Sequence, residues 1–235
     1  MRRFHAALFV TFIAPLASCF SSVHGNGEPA METRSIEGFI DVDSKGSLDV
    51  RVEQGDTFSV AVNIDSNLLS LVETRVVGKT LVISSYQSLS THLPGPHVSI
   101  KMPQVAGAYL SGSGRVALTS VHESGPVALR LSGSGAIDFS GTAPSVDVDV
   151  SGSGDVNLAG SADRLSADLA GSGAIDAASL PAAAGSIDLS GSGNVRATIN
   201  GPVDVALRGS GNIDLYGDVT LQHSSKSGSG AIRVH

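Results

Sequence analysis

Leu131-Ser132-Gly133-Ser134-Gly135-Ala136-Ile137-Asp138 is the stretch that decides the fold. It returns as Leu169-Ala170-Gly171-Ser172-Gly173-Ala174-Ile175-Asp176 and as Leu207-Arg208-Gly209-Ser210-Gly211-Asn212-Ile213-Asp214. Gly-Ser-Gly itself stands at 112–114, 133–135, 152–154, 171–173, 191–193, 209–211 and 228–230, a return of about nineteen residues. A fixed return of that length is the mark of a stacked-repeat architecture.

The columns around the repeat say which architecture. Two residues after each final Gly stand Val116, Ile137, Val156, Ile175, Val195, Ile213 and Ile232, all β-branched. Four residues before it stand Leu110, Leu131, Val150, Leu169, Leu189, Leu207 and then Lys226. Period-two alternation sends both columns to one side and the residues between them to the other. Each repeat then reads as strand, Gly-Ser-Gly corner, strand, and a looser corner such as Ser140-Gly141-Thr142-Ala143-Pro144 or Asn200-Gly201-Pro202. One such coil cannot close a core by itself, whereas stacked coils bury one another's apolar columns. The expected fold is all-β, a single parallel β-helix with coils of about nineteen residues.

Outward from the repeats, residues 105–235 form the regular part and 35–104 are expected as earlier, less regular coils. Alternation persists there in Leu48-Asp49-Val50-Arg51-Val52 and Phe58-Ser59-Val60-Ala61-Val62, without a Gly-Ser-Gly corner. At the far end Lys226, with His223, Arg233 and His235 nearby, puts charge on what would be an open strand edge. Residues 20–34 are polar and Gly-containing, and read as a flexible tether.

Residues 1–19 read as a lipoprotein-type signal peptide. Arg2 and Arg3 precede an apolar run from Ala6 to Ala14, too short to span a bilayer. Leu16-Ala17-Ser18-Cys19 then resembles the bacterial lipobox, with Cys19 as the lipid attachment site and the membrane as a partner through that lipid. Phe20 follows the cysteine, and resemblance to enterobacterial lipoproteins implies that lacking Asp there permits sorting to the outer membrane. Cys19 is the only Cys, so no disulfide forms within the chain. Fifteen basic residues against 22 acidic give a formal charge of −7, and loss of Arg2 and Arg3 makes the mature chain more acidic still. That balance excludes a nucleic-acid partner.

Chemistry concentrates in one outward column, five residues before the final Gly: Tyr109, Arg130, Asp149, Asp168, Asp188, Ala206, with Asp147 on the same face. In-register carboxylates at strand spacing repel by about 1 kcal/mol in water, so Asp147, Asp149, Asp168 and Asp188 form a candidate ligand face. Calcium or an array of sugar hydroxyls would relieve the repulsion. A second outward column reads Ala117, Asp138, Asn157, Asp176, Arg196, Asp214, Arg233, and its alternating charges predict ion pairs between coils. The stacked serines Ser113 to Ser229 are expected as a hydroxyl ladder, since no G-x-S-x-G elbow or recurring His activates them. His92 and His97 lack acidic or Cys partners and read as a surface loop. No catalytic residue and no confident metal site emerge.

These residues resemble the GIN-domain family of auto-transporter adhesin head domains. The resemblance rests on the three stretches quoted above, on Val52-Glu53-Gln54-Gly55-Asp56, Lys79-Thr80-Leu81-Val82-Ile83 and Ile100-Lys101-Met102-Pro103, and covers roughly Ile36 to His235. It implies a right-handed β-solenoid in exported, often lipid-anchored proteins. The expectation is therefore a non-enzymatic envelope protein that binds a glycan or another envelope protein. Two alternatives stand beside it: an architectural spacer, and a polysaccharide lyase or hydrolase using Asp147, Asp149, Asp168 and Arg130.

Overall fold

The computed structural model describes residues 22–235, which form a β-solenoid with parallel bridges about nineteen residues apart. One face stacks the strands that lead into the corner, from Gly107–Gly112 and Val127–Gly133 through Pro202–Gly209 to Thr220–Ser227. The other stacks the strands that leave it, from Arg115–His122 through Asn194–Ile199 and Asn212–Tyr216 to Ala231–Val234. We refer to them as the first and second faces.

Register follows the sequence columns residue for residue. Leu110, Leu131, Val150, Leu169, Leu189 and Leu207 pair in succession and are buried, as are Val116, Ile137, Val156, Ile175, Val195 and Ile213. Aliphatic stacks of this kind let a narrow interior close without Trp. Phe39 and Phe139 are the largest fully buried side chains.

The Gly-Ser-Gly corner is a steric requirement of close stacking. A Cβ on Gly133 would lie 2.5 Å from the carbonyl oxygen of Gly112, and one on Gly135 would lie 2.3 Å from that of Gly114. Gly133 also has φ of +126°, a region that L side chains rarely adopt. The carbonyl of Gly112 accepts from both Ser134 N–H (3.1 Å) and Gly135 N–H (3.0 Å), and the pattern repeats from coil to coil. The corner is thus satisfied backbone to backbone. The expected hydroxyl ladder reduces, among the described residues, to Ser210 Oγ and Ser229 Oγ at 3.1 Å.

The N-terminal third holds a concealed coil and a reversal. Asp41–Gly46 and Asp49–Gln54 flank Gly46-Ser47-Leu48, and this corner sits directly under 112–114, its Gly46 carbonyl accepting from Ser113 and Gly114 N–H. The chain then passes to the end of the solenoid before Thr80–Ser85 and His97–Met102 pair in parallel beneath that coil. Later residues therefore lie further out than earlier ones, a departure from the expected simple succession of coils. The end is sealed by Ser59–Asp65, antiparallel to His97–Met102, and by Val72–Val77, antiparallel to Thr80–Ser85. Between them the 3-10 helix Ser66–Leu71 puts Leu68 into the core.

Residues 23–34 are not the expected tether. Val23–His24 pairs with Leu89–Ser90, and Pro29–Arg34 adds an antiparallel edge strand to Ser59–Asp65. The reason is that backbone pairing and Arg34 hold a segment whose apolar pattern is too weak to show a strand. At the opposite end every residue of Thr220–Ser227 is exposed, and Lys226 closes the Leu column. The signal peptide and Cys19 lie outside the described residues.

Candidate binding face

The outward side of the first face brings the expected carboxylates together. Asp43, Tyr109, Arg130, Asp149, Asp168, Asp188 and Ala206 are paired in register across successive coils. Two residues earlier on the same strands stand Asp41, Gly107, Ala128, Asp147, Ser166, Ser186 and Asp204. All four sequence-predicted residues, Asp147, Asp149, Asp168 and Asp188, therefore share one surface.

Their electrostatics are those of crowded like charges. The Asp168 carboxyl is pushed above its ordinary range, first by partial burial and then by Asp188, Asp149 and Asp147. Asp188 is relieved by an ion pair with Arg208. Asp147 accepts from Ser145 Oγ at 3.2 Å. Asp149 and Asp168 have no cation at ion-pairing distance among the described residues. The row is flat, and among the described residues no three acidic, His or Cys side chains converge as a metal cage. A straight row at strand spacing offers oxygens one at a time, without the enclosing geometry that calcium takes.

The row ends at an aromatic and cationic platform. Arg130 lies over the Tyr109 ring, its Cζ 5.5 Å from the centroid. Tyr109 in turn leans over Gly107, where a Cβ would meet the phenol oxygen and Asp41 Oδ1 at 3.0 Å each. Burial raises the pKa of the Tyr109 phenol, with Asp41 adding to the rise, and burial likewise raises that of Asp41. Asp43, Tyr109, Arg130 and Asp149 line a hollow of about 270 Å³ with their neighbours. Donors from Arg130 and Tyr109 thus face acceptors from Asp43 and Asp149. Asp41 and Asp43 escaped the sequence reading because their coil lacks the second glycine of the corner, although Asp43 sits three residues before Gly46 just as Tyr109 sits three before Gly112.

On the second face the column of Asp138, Asp176 and Asp214 is paired from coil to coil. Asn157 Nδ2 donates to Asp138 Oδ1 at 2.9 Å, Arg196 meets Asp176 at 3.3 Å, and Arg233 meets Asp214 at 3.3 Å. Arg115 pairs with Asp138 across the corner side of the same sheet. Arg196–Asp176 and Arg233–Asp214 are the coil-to-coil ion pairs expected from the alternating column. His92 Nδ1 lies 2.8 Å from the Gly25 carbonyl and His97 Nδ1 2.8 Å from that of Gly95, so each ring has a structural partner.

The family described as "Putative auto-transporter adhesin, head GIN domain" matches residues 38–218. The chain belongs to the GIN-domain family. Among solved structures, a putative adhesin from Bacteroides fragilis is 20% identical, with 91% of this chain and 100% of that one covered and a TM-score of 0.80. From Parabacteroides distasonis come a "Putative lipid binding protein" at 23% identity (92% and 100% covered, TM-score 0.73) and a putative adhesin at 24% (92% and 100%, TM-score 0.72). At these identities the structures establish a shared fold. No curated protein matches the chain.

The GIN-domain match begins just before Phe39 and ends at Asp218. It takes in the whole candidate face from Asp41 to Arg208. Outside it fall the exposed last coil and residues 22–37, which cover the sealed end.

Proposed function

We propose that this GIN-domain protein is exported, anchored in the bacterial envelope by lipid on Cys19, and binds a hydroxyl-rich glycan along the outward side of its first face. The observation that carries the reading is the contrast between one outward column of each face. On the second face Asp138, Asp176 and Asp214 of one outward column are matched by Arg, Asn or His from the next coil, whereas Asp149 and Asp168 stand in register without a cation at ion-pairing distance, beside the Tyr109–Arg130 platform. Carboxylates accept strong hydrogen bonds from hydroxyls without needing a counter-charge, and an aromatic ring backed by Arg gives a sugar ring a surface to lie on. Repetition of the row over several coils suits a polymer. The family description and the adhesin names of the related folds point the same way.

A glycan array probed with the chain and with an Asp149→Asn/Asp168→Asn variant tests this. Binding by the native chain that drops at least roughly tenfold in the variant, the loss of about 1.4 kcal/mol, supports it. Binding to no glycan, or equal binding by both, removes it.

The raised pKa of Asp168 favours a second reading, a polysaccharide-active enzyme, because a general acid must hold its proton near working pH. Prolonged incubation with uronate polymers that yields no shorter product would eliminate that reading.

A further inference from the structure

We infer that the sealed end of the solenoid lies against the bilayer, with Tyr86 and Met31 in the lipid headgroup layer. The inference rests on the proposed lipid anchor at Cys19 and adds an orientation that the anchor alone would not impose.

The argument begins with how early the chain becomes fixed. Val23 N–H donates to the Ser88 carbonyl at 2.9 Å and Gly25 N–H to that of Ser90 at 2.8 Å. Asp65, buried at the sealed end, accepts from Gly27 N–H at 2.7 Å and from the Thr91 hydroxyl. Asn67 Nδ2 donates to the His24 carbonyl at 2.9 Å. The lead from Val23 to Gly27 is therefore clasped from both sides. Between Cys19 and Val23 only Phe20, Ser21 and Ser22 intervene, and four peptide units reach at most about 14 Å. A lipid-bearing Cys19 sits at the headgroup level, and each headgroup layer is about 6 Å deep. The point where the lead joins the body, at Ser88, cannot stand far from the membrane.

The surface at that point suits the location. Among the described residues five large apolar side chains are exposed, and three belong to this end: Tyr86 at 82%, Met31 at 68% and Val77 at 51%. Tyr86 is two residues from Ser88, and its phenol lies by Glu73 of the end strand Val72–Val77. Met31 is on the other end strand and borders an apolar hollow of about 480 Å³ lined also by Leu93, Pro94 and Pro96. Tyr at the boundary between headgroups and acyl chains keeps its ring in the apolar zone and its hydroxyl in the wet one. The acidic chain gains nothing from anionic lipid, so the contact is apolar and persists on neutral lipid. The solenoid then rises from the membrane with its exposed last coil outermost and the first face open along its height.

The test uses the mature lipidated chain in phosphatidylcholine vesicles. It contains no Trp, so Tyr86→Trp, Met31→Trp and, at the opposite end, Leu221→Trp each give one fluorophore. With brominated phosphatidylcholine, docking gives strong quenching at positions 86 and 31 and none at 221, unchanged by high salt. Equal, weak quenching at all three positions in vesicle-bound protein overturns docking while leaving the anchor intact. Absence of lipid on Cys19 defeats the anchor instead. The thiol of the unprocessed chain is then coupled to a maleimide lipid and the three variants are measured again: quenching at 86 and 31 upholds docking, and its absence overturns it.

Discussion

Arg34 joins the two ends of the solenoid's sheets: from the edge strand of the second face its Nη1 donates to the carbonyl oxygen of Val72, on the first-face side, at 2.7 Å. The same nitrogen reaches Thr74 Oγ1 at 2.9 Å, and Nη2 reaches the Leu69 carbonyl at 3.1 Å. Leu69 and Val72 lie at the end of the 3-10 turn, where the Leu69 carbonyl also accepts from the Val72 N–H, so one guanidinium adds a second donor to that carbonyl, serves the Val72 carbonyl and closes the end of the core.

Replacing Arg34 by Ala should therefore lower stability by about 1.5–3 kcal/mol, the range for hydrogen bonds to charged groups. Lys should recover less than half, since an ammonium lacks the planar fork that spans both carbonyls. Urea unfolding of the two variants checks both statements. A loss below about 0.5 kcal/mol for Arg34→Ala would mean that water serves those carbonyls equally well.

The corner makes a sharper contrast between neighbours. Gly135→Ala sets a methyl against the Gly114 carbonyl oxygen and should cost about 3 kcal/mol or more, in line with overpacking at a site that cannot yield. Ser134→Ala should change stability by less than about 0.5 kcal/mol, because the bonds at that corner come from its N–H. Thermal unfolding of the pair separates a backbone corner from a hydroxyl ladder.

The reach of the sequence is visible in the same corner. Gly-Ser-Gly and its Leu and Ile columns gave the register through seven coils because stacking at strand spacing forces the same small residue into the same place each time. Gly46-Ser47-Leu48 was missed because Leu48 stands in place of the second glycine and Gly46 is required by its φ of +128° alone, a Cβ there meeting nothing within 4 Å. The reversal that puts Thr80–Ser85 beneath Asp41–Gly46 has no periodic mark, since the two strands meet only after an antiparallel excursion. Pro29–Arg34 passed as tether because an edge strand held by backbone pairing and one half-buried guanidinium needs no apolar alternation. On the first face the Asp row was legible from spacing alone. The unpaired state of Asp149 and Asp168, against the pairing on the second face, depends on side-chain reach and was not.

Asp168 supplies a pH test. Its folded pKa is raised above the unfolded carboxylate value, so the fold holds this proton more tightly than the unfolded chain does. The ionised group opposes folding at neutral pH, and this penalty is relieved as pH falls through the raised value. Asp168→Asn should stabilise the protein at pH 7 by a few tenths of a kcal/mol, roughly the scale of exposed charge pairs, with the gain vanishing in acid. Arg208→Ala should have the opposite sign, freeing the Asp188 charge. Melting temperatures from about pH 3 to about pH 8, a span that brackets the ordinary carboxylate values, report both.

The platform makes a prediction of its own about ligand. Arg130→Ala uncovers the Tyr109 ring and removes the donors of the hollow, while Arg196→Ala removes a charge of the same sign from the second face. Only the first should weaken glycan binding, by roughly tenfold for about 1.4 kcal/mol. Equal effects from the two would mark a non-specific electrostatic contact.

The most direct measurement is a crystal structure of the chain soaked with the best oligosaccharide from an array. A binding first face places a sugar ring over the Tyr109–Arg130 platform, its hydroxyls on Asp43 or Asp149 and the polymer running on past Asp168. A sugar ordered on the paired second face, or at the last coil with the first face bare, would contradict the account.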